Sequence, residues 1–238
     1  TVGQGDQLIR QGAEPDDLFF IESGQLSAQL EAENGAPLRL ETMQGGRAVG
    51  ELCFYLDTRR SAAVVADRPD WSHDLSALRR ETIRRALLAA GDDPALAGPA
   101  FDVFFTERQR VDLFDDVLPA LARLAARWPV VALTNGNADV QRVPGLGRHF
   151  RAAVSARDLG LAKPAPQAFA AACARAGAAP GDTLHVGDDA RLDVDGALAA
   201  GLQAAWVRRP GGPDTGQPAG QPQHVVASLA ELADRLGA

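Results

Sequence analysis

The sequence predicts an α/β protein, with a parallel sheet covered on both faces by helices and a small β segment ahead of it. Three observations lead there. From about residue 113 short apolar runs alternate with stretches of helical period, the pattern of a parallel sheet whose chain crosses back over it. Before about residue 70 the apolar residues alternate with period two between turn residues. Polar residues also gather just after the apolar runs, at the sheet edge where such folds bind ligands.

Composition sets the outer bounds. The 238 residues are 46% hydrophobic and 23% charged, and the 24 Gly and 15 Pro follow no repeat, which excludes collagen-like, coiled-coil and wholly disordered chains. With 24 Lys and Arg against 31 Asp and Glu, the net charge of −7 offers no general field for nucleic acid or an anionic membrane, so neither is expected as a partner. No apolar run reaches the ~20 residues that cross a bilayer, and TVGQGDQLIRQG lacks the apolar centre of a signal peptide. A soluble, cytoplasmic protein is expected. Cys53 and Cys173 have no metal-type spacing and are expected to be small core residues in a reducing compartment. The chain opens without Met and in mid-pattern, which suggests that a segment upstream is missing.

The elements follow in order. LFFIE is a strand, and Leu26, Ala28 and Leu30 alternate with polar residues in the next. Asn34-Gly35 signals a hairpin turn into the strand carrying Leu38 and Leu40. SAAVVA (61–66) reads as a further apolar strand, stopped by the breaker ADRPDW. Leu75, Leu78, Ile83 and Leu87 then fall at helical spacing, with Ser72 or Asp74 as the cap and Gly91 as the stop. The arginines of that helix, Arg79, Arg80, Arg84 and Arg85, read as a solvated face. Val117, Leu121, Leu124 and Trp128 form one helical stripe leading into the strand PVVAL. A strand at AAVSA, a helix through Phe169 and Cys173 to Gly177, the strand TLHV, a helix ending at Gly201 and the strand AAWV continue the alternation. The Pro- and Gly-rich stretch between Arg208 and His224 reads as a mobile surface loop, and Ser228 with Glu231 as a capping box for the last helix.

Three strand ends carry chemistry. Thr134-Asn135-Gly136 follows PVVAL, Lys163-Pro164 follows AAVSA, and Gly187-Asp188-Asp189-Ala190-Arg191-Leu192-Asp193 follows TLHV. A hydroxyl, an ammonium and a carboxylate pair at one sheet edge can hold a phosphoryl group and a Mg²⁺ ion. His185, inside a strand, reads as a core or hydrogen-bonded histidine.

In these residues the chain resembles the haloacid dehalogenase-like (HAD) hydrolase superfamily over about 71–238. The resemblance implies a Rossmann-like parallel sheet with a partial helical cap. Residues 70–238 would then form the hydrolase domain, with 72–112 as the cap remnant and 113–238 as the core. LTNG is similar to the family's second motif, AKP to its third and GDDARLD to its fourth. Thr134 would then hydrogen-bond the phosphoryl oxygens, Asn135 would belong with it to the catalytic set, Lys163 would stabilise charge, and Asp188 and Asp193 would serve Mg²⁺. The family's first motif, a DxD that supplies the nucleophile and a general acid and base, is not found ahead of the cap. Asp193-Val194-Asp195 lies inside the fourth motif, and Asp67 has its next carboxylate, Asp70, three residues on. The missing strand belongs beside TLHV, so the sheet is expected either to close over the gap or to recruit SAAVVA into it.

Residues 1–69 resemble instead the inner part of a cyclic-nucleotide-binding domain, a small jelly-roll-like β-roll. Gly50 and Glu51 would meet the ribose, and Arg60 with Ser61 the cyclic phosphate, while the strand and helices that cover the base are absent. The two resemblances together imply a Mg²⁺-dependent phosphatase of a small phosphorylated metabolite, inactive for want of its nucleophile. The alternative is a cyclic-nucleotide-sensing module, weakly binding, with an inert hydrolase-like domain.

Overall fold

The computed structural model describes residues 19–20, 25–31, 37–44, 48–49, 58–212 and 214–238. Two compact units divide the chain, Thr1–Ala63 and Val64–Ala238. In the first, β1 (Phe19–Phe20) pairs antiparallel with β4 (Ala48–Val49). The alternating runs form the expected hairpin, in which β2 (Gln25–Glu31) pairs antiparallel with β3 (Pro37–Gln44) and Glu31 lies opposite Pro37. The turn at Asn34-Gly35 lies outside the described residues, as do Gly50, Glu51 and Cys53.

SAAVVA is not a strand. It belongs to α1 (Thr58–Asp67), and the amide of Arg68 still donates to the Val64 carbonyl. A six-residue apolar run fits a buried strand or a helix equally well, and here the Ala-rich composition and one-sided burial decide. Val64 is 0% exposed, whereas Ala62, Ala63 and Ala66 face solvent. Asp67 therefore ends a helix, where it pairs with Arg85 at 2.7 Å, and takes no place at a sheet edge.

Two helices in contact follow, α2 (Leu75–Ala90) and α3 (Ala97–Glu107). Asp74 caps α2 by accepting from the amides of Ser76 and Ala77, and Gly91 ends it at φ 80, a left-handed value that costs glycine nothing. The arginines of α2 are more engaged than a solvated face. Arg80 stacks over Phe101 at 4.1 Å, Arg79 lies 5.6 Å from Phe104, and Arg84 and Arg85 both donate to Glu81. These bonds hold the Glu81 carboxyl down at about 2.

The rest of the unit is the α/β body. Helix α4 (Val117–Arg127) leads into β5 (Val131–Thr134), which pairs parallel with β6 (Ala152–Ser155). After α5 (Ala156–Leu159) and α6 (Pro166–Ala176) come β7 (Leu184–Gly187), a π-helical stretch (Ala190–Asp195) and α7 (Gly196–Ala199). Strand β8 (Gln203–Val207), β9 (His224–Val226) and α8 (Leu229–Arg235) complete it. β7, β8 and β9 form a second parallel sheet in that order. β9 has no counterpart in the sequence reading, because three residues after a Pro-rich stretch carry too little pattern.

The body thus holds two parallel sheets where one was expected, and neither closure nor recruitment has occurred: β5 and β7 are not bonded to each other, and 61–66 is helical. The middle strand β8 shows why the sheet is stable on both faces. Ala204 and Trp206 pack with Phe169, Cys173, Val194 and Ala197, while Ala205 turns to Val226 and Leu232. Leu133 of β5 joins the first of these clusters, so the sheets share one core. Among the described residues no helix is long and apolar enough to cross a membrane.

Candidate functional site

Both parallel sheets deliver their polar residues to carboxyl ends. Thr134 closes β5, and its Oγ1 accepts the amide of Gly136 at 2.9 Å. A Cβ on Gly136 would lie 3.1 Å from that oxygen, so the tight turn favours glycine. Asn135 is bound to Lys163 in both directions. Its Nδ2 donates to the Lys163 carbonyl at 2.9 Å and its Oδ1 accepts the Lys163 amide at 2.7 Å. One side chain thereby fixes the backbone 28 residues on, just before the Lys163–Pro164 bond, which is cis.

The Lys163 side chain turns to Asp193. Nζ donates to Oδ1 at 2.5 Å, and His185 Nε2 lies 3.0 Å from the same oxygen. Oδ2 accepts the amide of Asp189 at 3.0 Å. The Asp193 side chain is 6% exposed and that of Lys163 12%. Burial pushes the Asp193 carboxyl upward, but the hydrogen bond from His185 and the charge of Lys163 outweigh it and hold the group well below the ordinary carboxylate range. Gly187 makes the approach feasible, since a Cβ there would come within 2.2 Å of Asp193 Cγ. His185 also meets the edge of Phe169, with ring centroids 5.0 Å apart. It is the hydrogen-bonded histidine the sequence implied, with Asp193 as its partner.

The two members of the expected metal pair stand in different surroundings. Asp188 is exposed, and its carbonyl accepts from Trp206 Nε1 at 3.0 Å and from Thr215 Oγ1 at 2.9 Å. Asp193 is buried with three donors on its two oxygens. Among the described residues no three His, Cys, Asp or Glu side chains cluster as metal ligands. As arranged, these residues do not fit Mg²⁺, because the carboxylate that would reach the ion is spent on Lys163 and His185. Spacing alone could not show this, since a carboxylate five residues from another suits a cation or an ammonium equally.

Asp188 instead borders a cleft of about 790 Å³ whose lining includes Phe114, Trp206, Arg208, Arg209 and Thr215. Thr215 lies in the stretch expected to be a mobile loop. The structure ties that stretch down: Thr215 bridges the Asp188 carbonyl and the Ala190 amide, and Asp195 accepts the amides of Ala219 and Gly220. Sequence reasoning missed this because Pro and Gly advertise turns and say nothing about what the turns bond to. It also missed Gln109, 5% exposed, whose Oε1 accepts the amide of Asp139 at 2.8 Å and so joins the segment after α3 to the loop after β5.

The expected nucleotide cassette falls only in part within the described residues. Gly50 and Glu51 lie outside them, and Arg60 and Ser61 stand in the first turn of α1, where a strand had been expected to begin.

Comparison with known proteins agrees with the body of the fold. The model of the haloacid dehalogenase-like hydrolase family matches residues 23–201, which takes in much of the stretch read as a β-roll. The 5-amino-6-(5-phospho-D-ribitylamino)uracil phosphatase YigB of Escherichia coli is 36% identical over 154 residues, 63% of this chain and 64% of that protein. Phosphoserine phosphatase of Thermus thermophilus is 36% identical over 159 residues, 65% of this chain and 63% of the relative. The chain thus spans a little under two thirds of each of these relatives. Among solved structures, a 2-haloacid dehalogenase from Pseudomonas syringae pv. Tomato superposes with a TM-score of 0.68 at 36% identity, over 75% of this chain and 78% of the other.

Proposed function

The chain belongs to the haloacid dehalogenase-like hydrolase family, and from that premise we propose that Thr134, Asn135 and Lys163 form a binding site for the phosphoryl group of a small phosphorylated metabolite. The observation that carries this reading is the two-way bond between Asn135 and Lys163. It holds a hydroxyl and an ammonium from neighbouring strand ends in one fixed frame. Thr134 Oγ1 accepts from Gly136, which leaves its proton to donate to an anion. Lys163 has three protons, one committed to Asp193, and offers the others. The curated relatives whose names specify phosphatases of small phosphorylated compounds support the same substrate class.

Such a site stabilises charge without supplying the atom that attacks phosphorus. Among the described residues the carboxylate in contact with it is Asp193, already committed to Lys163 and His185. Asp67 is paired with Arg85 on α2. The reading is therefore tight positioning with little turnover. Calorimetry with phosphoserine tests the binding: wild type binds, and Thr134→Val and Lys163→Met each weaken it about tenfold, or ~1.4 kcal/mol. No binding at about 10 mM, or unchanged affinity in both variants, overturns the reading. Release of phosphate from an aryl phosphate tests the second half, and turnover lost in Asp193→Asn would make that carboxylate catalytic. Because the solved structure at 36% identity is a 2-haloacid dehalogenase, 2-chloropropionate belongs in the same assay. Chloride release would favour that chemistry.

A further inference from the structure

Lys163 is the one lysine among the 24 lysine and arginine residues of the chain. The cation at this site is therefore a compact ammonium with three rotatable donors, and its direction depends on what holds it. Asp193 Oδ1 holds it at 2.5 Å, and the same oxygen lies 3.0 Å from His185 Nε2. An ionised carboxylate only accepts, so Nε2 carries the proton and donates. Two donors on one oxygen divide its charge, and each is held less tightly than it would be alone. The imidazole is placed from two sides. Its backbone lies in β7 opposite Ala204 of β8, and its ring meets the edge of the fully buried Phe169 at a centroid distance of 5.0 Å. A phenyl ring would pack there as well, so the nitrogen is what histidine adds.

We infer that His185 is a positioning residue that sets how strongly the phosphoryl site holds an anion: by sharing Asp193 Oδ1, it keeps that carboxylate from drawing in Lys163 and neutralising it. The inference rests on the phosphoryl-binding reading given above. Asp193 has its other oxygen on the Asp189 amide, so Oδ1 is where Lys163 and His185 compete. With His185 in place, the ammonium is tethered by one shared bond and keeps two protons for a ligand. Without it, the whole charge of Oδ1 falls to Lys163. The ion pair tightens, and the anion loses part of its attraction. His185 touches no ligand in this account and acts through Asp193 alone.

The test uses His185→Phe and His185→Leu, which both lack the donor, and His185→Gln, whose amide nitrogen can stand where Nε2 stands. Thermal melts check that each is folded. Protein carrying ε-15N-lysine gives one ammonium signal, because Lys163 is the one lysine. Without any ligand, its protons are expected to exchange with water severalfold more slowly in the donorless variants and at the wild-type rate in His185→Gln. By calorimetry, phosphoserine affinity is expected to fall about tenfold in the donorless variants and to stay within about twofold of wild type in His185→Gln. In a Lys163→Met background, His185→Phe should change affinity by less than about twofold, since no ammonium is left to draw in. Unchanged or faster exchange in the donorless variants overturns the inference, because Asp193 would then not be tightening on Lys163. An equal loss of affinity in the Lys163→Met background overturns it too, as does a His185→Gln that fails like His185→Phe, since the ring would then be what matters. If wild type binds no phosphoserine, the reading of the site falls and this inference with it. If wild type binds and the donorless variants match it, only this inference falls.

Discussion

Replacing Asp193 by Asn keeps the shape of the side chain and removes its charge. In the folded protein that carboxylate accepts from Lys163 Nζ at 2.5 Å, from His185 Nε2 at 3.0 Å and from the Asp189 amide at 3.0 Å, with 6% of its side chain exposed. Removing one partner of a buried ion pair costs about 3–5 kcal/mol, most of it the penalty of stranding the other charge. Two features pull the value to the lower end. Lys163 retains 12% exposure at the edge of the body, so its ammonium can recover some water, and the Asn oxygen still accepts one bond. A loss of about 3 kcal/mol is expected in urea denaturation at neutral pH, with an unchanged slope because the area exposed on unfolding is the same.

The same variant fixes a pH dependence. The Asp193 carboxyl is depressed in the folded state, with burial opposing and His185 and Lys163 prevailing, while in the unfolded chain it titrates near ~3.9. Its contribution is therefore fully present above about pH 4 and is lost as pH falls toward the folded value. Wild type should lose stability more steeply than Asp193→Asn below about pH 4, and the gap between the two should narrow. A difference under ~1 kcal/mol at neutral pH, the size of a surface pair, with parallel pH profiles would refute the reasoning. Adding Lys163→Met to Asp193→Asn should recover part of the loss, because the stranded charge is gone.

Gly187→Ala places a methyl 2.2 Å from Asp193 Cγ; displacement of that side chain should cost about 2–3 kcal/mol or more in denaturant unfolding, and a cost below ~1 would mean that the carboxylate shifts freely. Asn135→Ala removes two bonds to the Lys163 backbone; a loss of ~2 kcal/mol is expected, with weaker phosphoserine binding as the sign that Lys163 has lost its position. Asp116 accepts from the amides of Leu229 and Ala230 and pairs with Arg209, whose hydrogen bond leads in lowering its pKa; Asp116→Ala should cost ~1–2 kcal/mol, and opening of the cleft beside Arg209 should appear as faster exchange of the Leu229 amide. Mg²⁺ titrations of wild type and Asp188→Asn should be indistinguishable by calorimetry; binding present in the first and lost in the second would show that Asp193 can leave Lys163 for a cation.

What the sequence made legible here is what a single element can express. The period of 3.6 in Val117, Leu121 and Leu124, the Asp74 cap, the Gly91 and Gly177 stops and the apolar runs ahead of Thr134 and Gly187 are each properties of one stretch of chain, and all appear in the structure. SAAVVA failed at the margin of that rule, since six apolar residues do not distinguish a strand from a helix until Val64 is seen to be buried while its alanine neighbours are exposed. The candidate site lies beyond the rule, because its chemistry depends on which side chains meet. Thr134, Lys163, Asp188 and Asp193 could be picked out as residue types at strand ends, but whether Asp193 faces a cation or an ammonium depends on distances across separate elements. Here Asn135 fixes the Lys163 backbone, the bare Gly187 lets Asp193 lie against β7, and His185 supplies a second donor to the same oxygen. Each of these is unremarkable alone, and together they commit the carboxylate to Lys163.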